Sequence, residues 1–396
     1  MTCSKKCVPF SMKGWGTMKS DALLNAYIDL NLLVCAGALL WLAARAGLRR
    51  TSLATVYGPQ LRLLNSMTVL LALTPVLVLI MNASGLGHPP TLSDMLVSQY
   101  LQGNVNMSAT QFEAMIGMRE DLVRDLTASQ AIWSRSVAVL LISGAAISAV
   151  LLGHAILRLR SALASAYLWK RIGRVDLLLS DHTAVAYSTR GLRRLYVVLP
   201  TSLLNDPRDL RLTLAHELQH FRQKDVETAF LMECLRPLLF WNPAYYLWRR
   251  DMRSVREFAC DQALGARARF DLRSYCECLI RASERARRTP IFLSSRSPSV
   301  ALLDRREILR APILARRIIA ITERRPEGRQ GMVWGAVAAV IAGAVLATAF
   351  LIQRPGDWSH DRIMLSTIVN LERMANRSSA QATVTALNAG FATSAN

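Results

Sequence analysis

The chain has 396 residues, 52% of them hydrophobic, and carries a formal charge of +20. Apolar and basic residues in such amounts have to be segregated along the chain, which excludes an ordinary soluble protein and points to a membrane. The charge itself does not point to nucleic acid: no basic recognition helix or stacking motif is present, and the cytoplasmic face of a membrane accounts for the arginines.

In chain order, four apolar runs approach the roughly twenty residues that a spanning helix needs. They are Leu24 to Ala44, Leu64 to Met81, Val137 to Leu157 and Val333 to Ile352. Gly144 and Ser148 in the third, and Ala339 and Gly343 in the fourth, are small residues four apart that would let helices approach closely. The connection from Arg45 to Arg62 contains Arg49 and Arg50 and no acid, whereas residues 84–134 carry Arg119 and Arg124 against five acids. The first is therefore expected in the cytoplasm and the second outside, with the N-terminus outside. Lys5, Lys6, Lys13 and Lys19 before the first span pull the other way, and a start at Met18 would remove three of them.

The outer loop carries a capping box at Ser108 and Gln111, then Phe112, Met115, Ile116, Leu122, Val123 and Leu126 on a helical stripe. An extracytoplasmic amphipathic helix follows from that pattern. Beyond the third span, Tyr167, Trp169, Lys170, Arg171 and Arg174 suit the headgroup zone and are read as a continuation of the helix. Val175 to Leu179, Thr183 to Tyr187 and Leu195 to Leu199 then read as a small antiparallel sheet. The apolar stretch from Ala229 to Trp248 is spoiled as a further span by Glu233, Arg236, Pro237, Asn242 and Pro243; packing in a core or against the bilayer is expected instead. Asp357 to Asn376 reads as one helix after the fourth span.

Between the third and fourth runs stands His216-Glu217-Leu218-Gln219-His220, an HExxH motif. Histidines four apart lie on one helix face, so both imidazoles can reach one Zn²⁺, with Glu217 beside the metal as general base. The helix is well marked: Asn205-Asp206 offer an N-cap and Pro207 suits the first turn, with no Gly or Pro from there to Lys224. A metzincin would need Gly at 223 and His at 226, where the chain has Gln223 and Val226. The remaining common choice is a glutamate from a later helix. Glu257 supplies it, and Asp261, one turn on, would accept a hydrogen bond from a ligand imidazole and fix its tautomer. Asp225, Glu227, Glu233 and Asp251 are competing acids that could equally be ordinary surface or capping charges. Cys260 reads as core, and Cys276 and Cys278 lack the second pair of a zinc knuckle.

These residues resemble the integral-membrane zinc peptidases of the BlaR/MecR antirepressor type. The likeness is carried by Arg190 to Pro200, by LAHELQHFRQKD from Leu214 to Asp225, and by FWNPAYYLWRRDMRSVREFACDQAL from Phe240 to Leu264. It implies His216, His220 and Glu257 as zinc ligands, Glu217 as base, and a cytoplasmic protein substrate, a transcriptional repressor or the protease itself. The fold expected is a mainly α membrane protein with four transmembrane helices and a cytoplasmic α+β gluzincin-like zinc protease domain between the third and fourth spans. Its parts are 1–63, with the first span; 64–157, with the second and third spans and the outer loop 84–134; the protease domain 158–332; the fourth span 333–352; and an extracytoplasmic tail 353–396.

The setting implied is a bacterial inner membrane, and self-association is left open. The tail has no SxxK motif and is too short for the penicillin-binding sensor of the best-known members. Self-cleavage in those members makes the Pro- and Ser-rich stretch Arg285 to Val300 a candidate cut site; the plainer reading is an exposed linker. Rival readings are a prenyl-protein or quality-control membrane protease and a catalytically silent receptor.

Overall fold

The computed structural model describes residues 13–83, 92–128, 132–191, 193–267, 270–288, 299–301, 311–322, 330–352 and 363–378. The chain divides into two compact units, one of residues 1–29, 75–139 and 346–396, the other of residues 30–74 and 140–345. Among the described residues three helices are long and apolar enough to cross a membrane. They are the Leu23–Leu48 part of α1 (Lys13–Leu48), α5 (Ile132–Ala164), and the Met332–Leu351 part of α11 (Gln330–Leu351). The run expected as a second span lies within α2 (Tyr57–Ala83).

The first unit carries α3 (Leu92–Leu101), α4 (Ala109–Ala128) and α12 (residues 363–378). Ser108 caps α4, its Oγ accepting from the Gln111 amide at 3.3 Å, as the sequence signals. Only part of the apolar stripe of α4 is covered by its neighbours: Phe112 and Ala109 pack with Val97 of α3 and with Leu365 and Val369 of α12, while Met115 and Leu122 are exposed. Tyr100 stacks on Phe112 with ring centroids 4.2 Å apart. Arg119 of α4 donates to Asp29 Oδ1 (2.7 Å) and Asn25 Oδ1 (3.2 Å) of α1 and to the Ile352 carbonyl (2.7 Å).

The second unit holds the sheet and the HExxH helix. The expectation that the third span continues as helix through residue 174 is wrong: α5 ends at Ala164, and Tyr167–Ile172 form strand β1. Tyr167, Trp169 and Ile172 favour a pleated edge, and Gly173, with φ +59°, makes the two-residue turn into β2 (Val175–Ser180). The strand expected over Thr183 to Tyr187 sits later, at Tyr187–Arg190 (β3), followed by β4 (Leu195–Pro200) and by β5 (Ser299–Ala301). The order is β1-β2-β4-β3-β5. The sheet is mixed rather than antiparallel, because the β3–β4 hairpin inserts β4 parallel to β2. β5 pairs with β3 from within the stretch read as a linker; residues 289–298 of that stretch lie outside the described residues.

Two helices after the sheet bring the site together. α6 (Pro207–Arg222) starts where expected, Asp206 Oδ1 accepting from the Arg208 and Asp209 amides at 3.0 and 3.1 Å. Leu210, Leu214, Leu218 and Phe221 lay one face of α6 on the sheet core of Leu177, Val197, Leu199 and Leu203. The opposite face, with His216 and His220, meets α8 (Pro243–Gly265).

The stretch from Ala229 to Trp248 does break as read, into the end of α7 (Asp225–Leu235), a connection, and the start of α8. α8 is tied to the first two long helices: Asn242 Nδ2 donates to Asn31 Oδ1 at 3.1 Å, Trp248 Nε1 to Thr68 Oγ1 at 3.0 Å, and Asp251 accepts from Trp41 (3.2 Å) and pairs with Arg45. A side chain at Gly144 of α5 would collide with the Phe240 ring, so that small residue admits the α7–α8 connection rather than another helix. α9 (Leu272–Arg288) and α10 (Ala311–Thr322) pack beside α6 and α8, with Tyr275, Leu279 and Ile321 packed on Cys260 and Leu264.

Candidate metal centre

His216 and His220 are fully buried and one helical turn apart on α6, with Nε2 atoms 3.0 Å from each other. Glu257 enters from α8, Oε2 3.5 Å from His216 Nε2 and Oε1 3.8 Å from His220 Nε2. The outer edges of both rings are occupied. His220 Nδ1 lies 2.8 Å from Asp225 Oδ2, and His216 Nδ1 lies 2.7 Å from the Tyr275 hydroxyl, which donates to Asp261 Oδ1 at 2.6 Å.

Those partners fix the tautomers. A carboxylate only accepts, so His220 carries its proton on Nδ1. Tyr275 gives its proton to Asp261, so its oxygen accepts the Nδ1 proton of His216. Burial holds the Tyr275 phenol well above the usual tyrosine range, keeping it a donor, and lowers His216 to about 3, keeping its ring neutral. Both Nε2 lone pairs then face each other and the Glu257 carboxylate. Two imidazole lone pairs and a carboxyl group that can give up its proton are a donor set that a divalent metal ion satisfies. Burial pushes Glu257 up to about 7, opposed by the cation of Arg317, and a bound metal would reverse that shift.

His216, His220 and Cys260 are also close enough to form a metal cluster. The sulfur lies 3.4 Å from His216 Nδ1, the nitrogen already engaged by Tyr275. Burial and the nearby Asp261 and Glu257 hold its thiol well above the usual range. Glu257 is the carboxylate that lies against both Nε2 atoms.

Glu217 is buried beside the pair, its Oε2 accepting from Ser188 Oγ on β3, which also donates to the Glu217 carbonyl at 3.1 Å. The sheet thus aims the carboxylate. Asp261 does not bond an imidazole directly as expected; it lies 3.6 Å from His216 Nδ1, with Tyr275 interposed. The reason is a phenol on α9, long enough to fill that gap. The direct acceptor is Asp225, which the sequence leaves among the competing ligands. Of the others, Glu233 pairs with Arg236 (2.9 Å) and Arg249, and Asp251 with Arg45. Ser188, Tyr275 and Arg317 are absent from the sequence reading.

A match to the family model for the BlaR1 peptidase, M56, extends over residues 28–306. The chain belongs to the M56 peptidase family. No curated protein matches it significantly. The matched residues take in most of the first candidate span, the sheet, α6 and α8, so this M56 member joins peptidase-family residues, a potential metal cluster and apolar helices in one chain: a membrane metallopeptidase.

Proposed function

We propose that this M56 peptidase is a zinc endopeptidase that cleaves a cytoplasmic protein, a repressor-like regulator or its own chain, in transmembrane signalling. The single observation that carries the reading is the convergence of the His216 and His220 Nε2 lone pairs with the Glu257 carboxylate. These three residues would hold the metal. Zinc there supplies a Lewis acid that polarises the scissile carbonyl and acidifies water.

The chain's own residues do the rest. Ser188 orients the Glu217 carboxylate. Glu217 takes the proton of the attacking water and delivers it to the leaving amine as the peptide C–N bond breaks. Asp225 and the Tyr275–Asp261 pair keep the two imidazoles in the tautomer that offers Nε2. The charge contrast between residues 45–62 and 84–134 supports a cytoplasmic metal site and α2 as the remaining span. Glu217→Gln should keep zinc and fold while losing about 10² to 10⁴ in proteolytic rate. Undiminished turnover in that variant would assign the base to another residue.

A further inference from the structure

A fully buried guanidinium is rare unless it is paired. Arg317 is one, with no exposed surface, and it lies outside residues 28–306 that the family model matches. It enters from α10, which Leu314 and Ile321 seat on the cluster of Cys260, Leu264, Tyr275, Leu279 and Ala282. Its Nε donates to Asp261 Oδ2 at 2.8 Å and its Nη2 to Asp261 Oδ1 at 2.9 Å, a two-pronged grip on one carboxylate. The remaining nitrogen, Nη1, lies 3.2 Å from Glu257 Oε2.

Glu257 and Asp261 sit one turn apart on α8, both buried. Without a cation they would repel, and one would take a proton or turn away. Arg317 instead separates their tasks. Asp261 is held toward Tyr275, and Glu257, with Oε2 3.2 Å from Nη1, keeps its carboxylate against the two imidazoles. A lysine could neutralise the pair but could not span both carboxylates with a fixed fork.

We infer that Arg317 is a positioning residue of the metal centre, the side chain by which α10 fixes Glu257 against His216 and His220. The inference rests on the reading of Glu257 as a metal ligand. The test uses the full-length protein in detergent, loaded with zinc alone, in four forms: wild type, Arg317→Met, Arg317→Lys and Glu257→Ala. Zinc retention against an excess of chelator is read beside the unfolding temperature of the metal-stripped protein.

Arg317→Met should bind zinc about 10- to 100-fold more weakly, the range seen when a residue supporting a ligand is removed. Arg317→Lys should fall between it and wild type. A purely structural arginine would change the unfolding temperature of the stripped protein and leave zinc retention alone, so wild-type retention in Arg317→Lys overturns the inference, even where the methionine variant does not fold. Wild-type retention in Glu257→Ala overturns the ligand reading and the inference with it, whereas loss there beside full retention in Arg317→Met overturns the inference only.

Discussion

Asp225 hydrogen-bonds the outer nitrogen of His220 at 2.8 Å, and both residues are completely buried. Lys224 makes this contact geometrically available. With φ +58° it is the only non-glycine residue among those described in the left-handed region, and it turns the chain sharply enough between α6 and α7 to fold Asp225 back onto the helix it has just left.

The first prediction concerns that pair. Asp225→Asn removes the charge that fixes the His220 tautomer and should weaken zinc binding about 10- to 100-fold. Zinc titration of the stripped protein in detergent reads this directly; affinity equal to wild type would show that His220 needs no partner.

A second prediction separates stability from chemistry. Asp209, buried on α6, is gripped by Arg281 at 2.5 and 3.0 Å and by Arg285 at 3.4 Å. Chiefly through the hydrogen bonds from Arg281, its carboxyl is held below the ordinary aspartate value of 3.8. A lowered folded-state value means that the unfolded chain binds its proton first as pH falls, so this stabilisation is present above pH 3.8 and is lost as the pH drops through the lower folded-state value. Asp209→Asn should cost about 1 to 3 kcal/mol near neutral pH. Thermal unfolding in detergent should show the gap from wild type closing in acid; a gap independent of pH would mean the loss is one of packing.

The contrast between α6 and β1 shows where the sequence was legible. Cap, proline and motif in α6 are local signals, and Asp206, His216 and His220 stand where they place them. The headgroup residues Tyr167 to Arg174 also suit a strand, and nothing local told that a left-handed Gly173 would pair them with β2. Glu257 was reachable because the turn spacing to Asp261 is itself a pattern. Tyr275 and Arg317 were not, since each acts across chain separations of 59 and 56 residues that no spacing rule connects.

The third prediction tests orientation. Reporter fusions after Gln102 and after Asn376 should report the outside of the membrane and one near Gly265 the cytoplasm, given the arginine asymmetry of the flanking connections. A cytoplasmic signal from the first two would place the metal site on the envelope side and call for an envelope substrate.

The most direct measurement is the zinc content of three purified proteins side by side: wild type, Glu257→Ala and Cys260→Ala. Glu257 faces the Nε2 atoms of both histidines, while the Cys260 sulfur faces the Nδ1 edge of His216. One zinc per chain is predicted in the wild type and in Cys260→Ala, and its loss in Glu257→Ala. Zinc kept by Glu257→Ala and lost from Cys260→Ala would contradict the account.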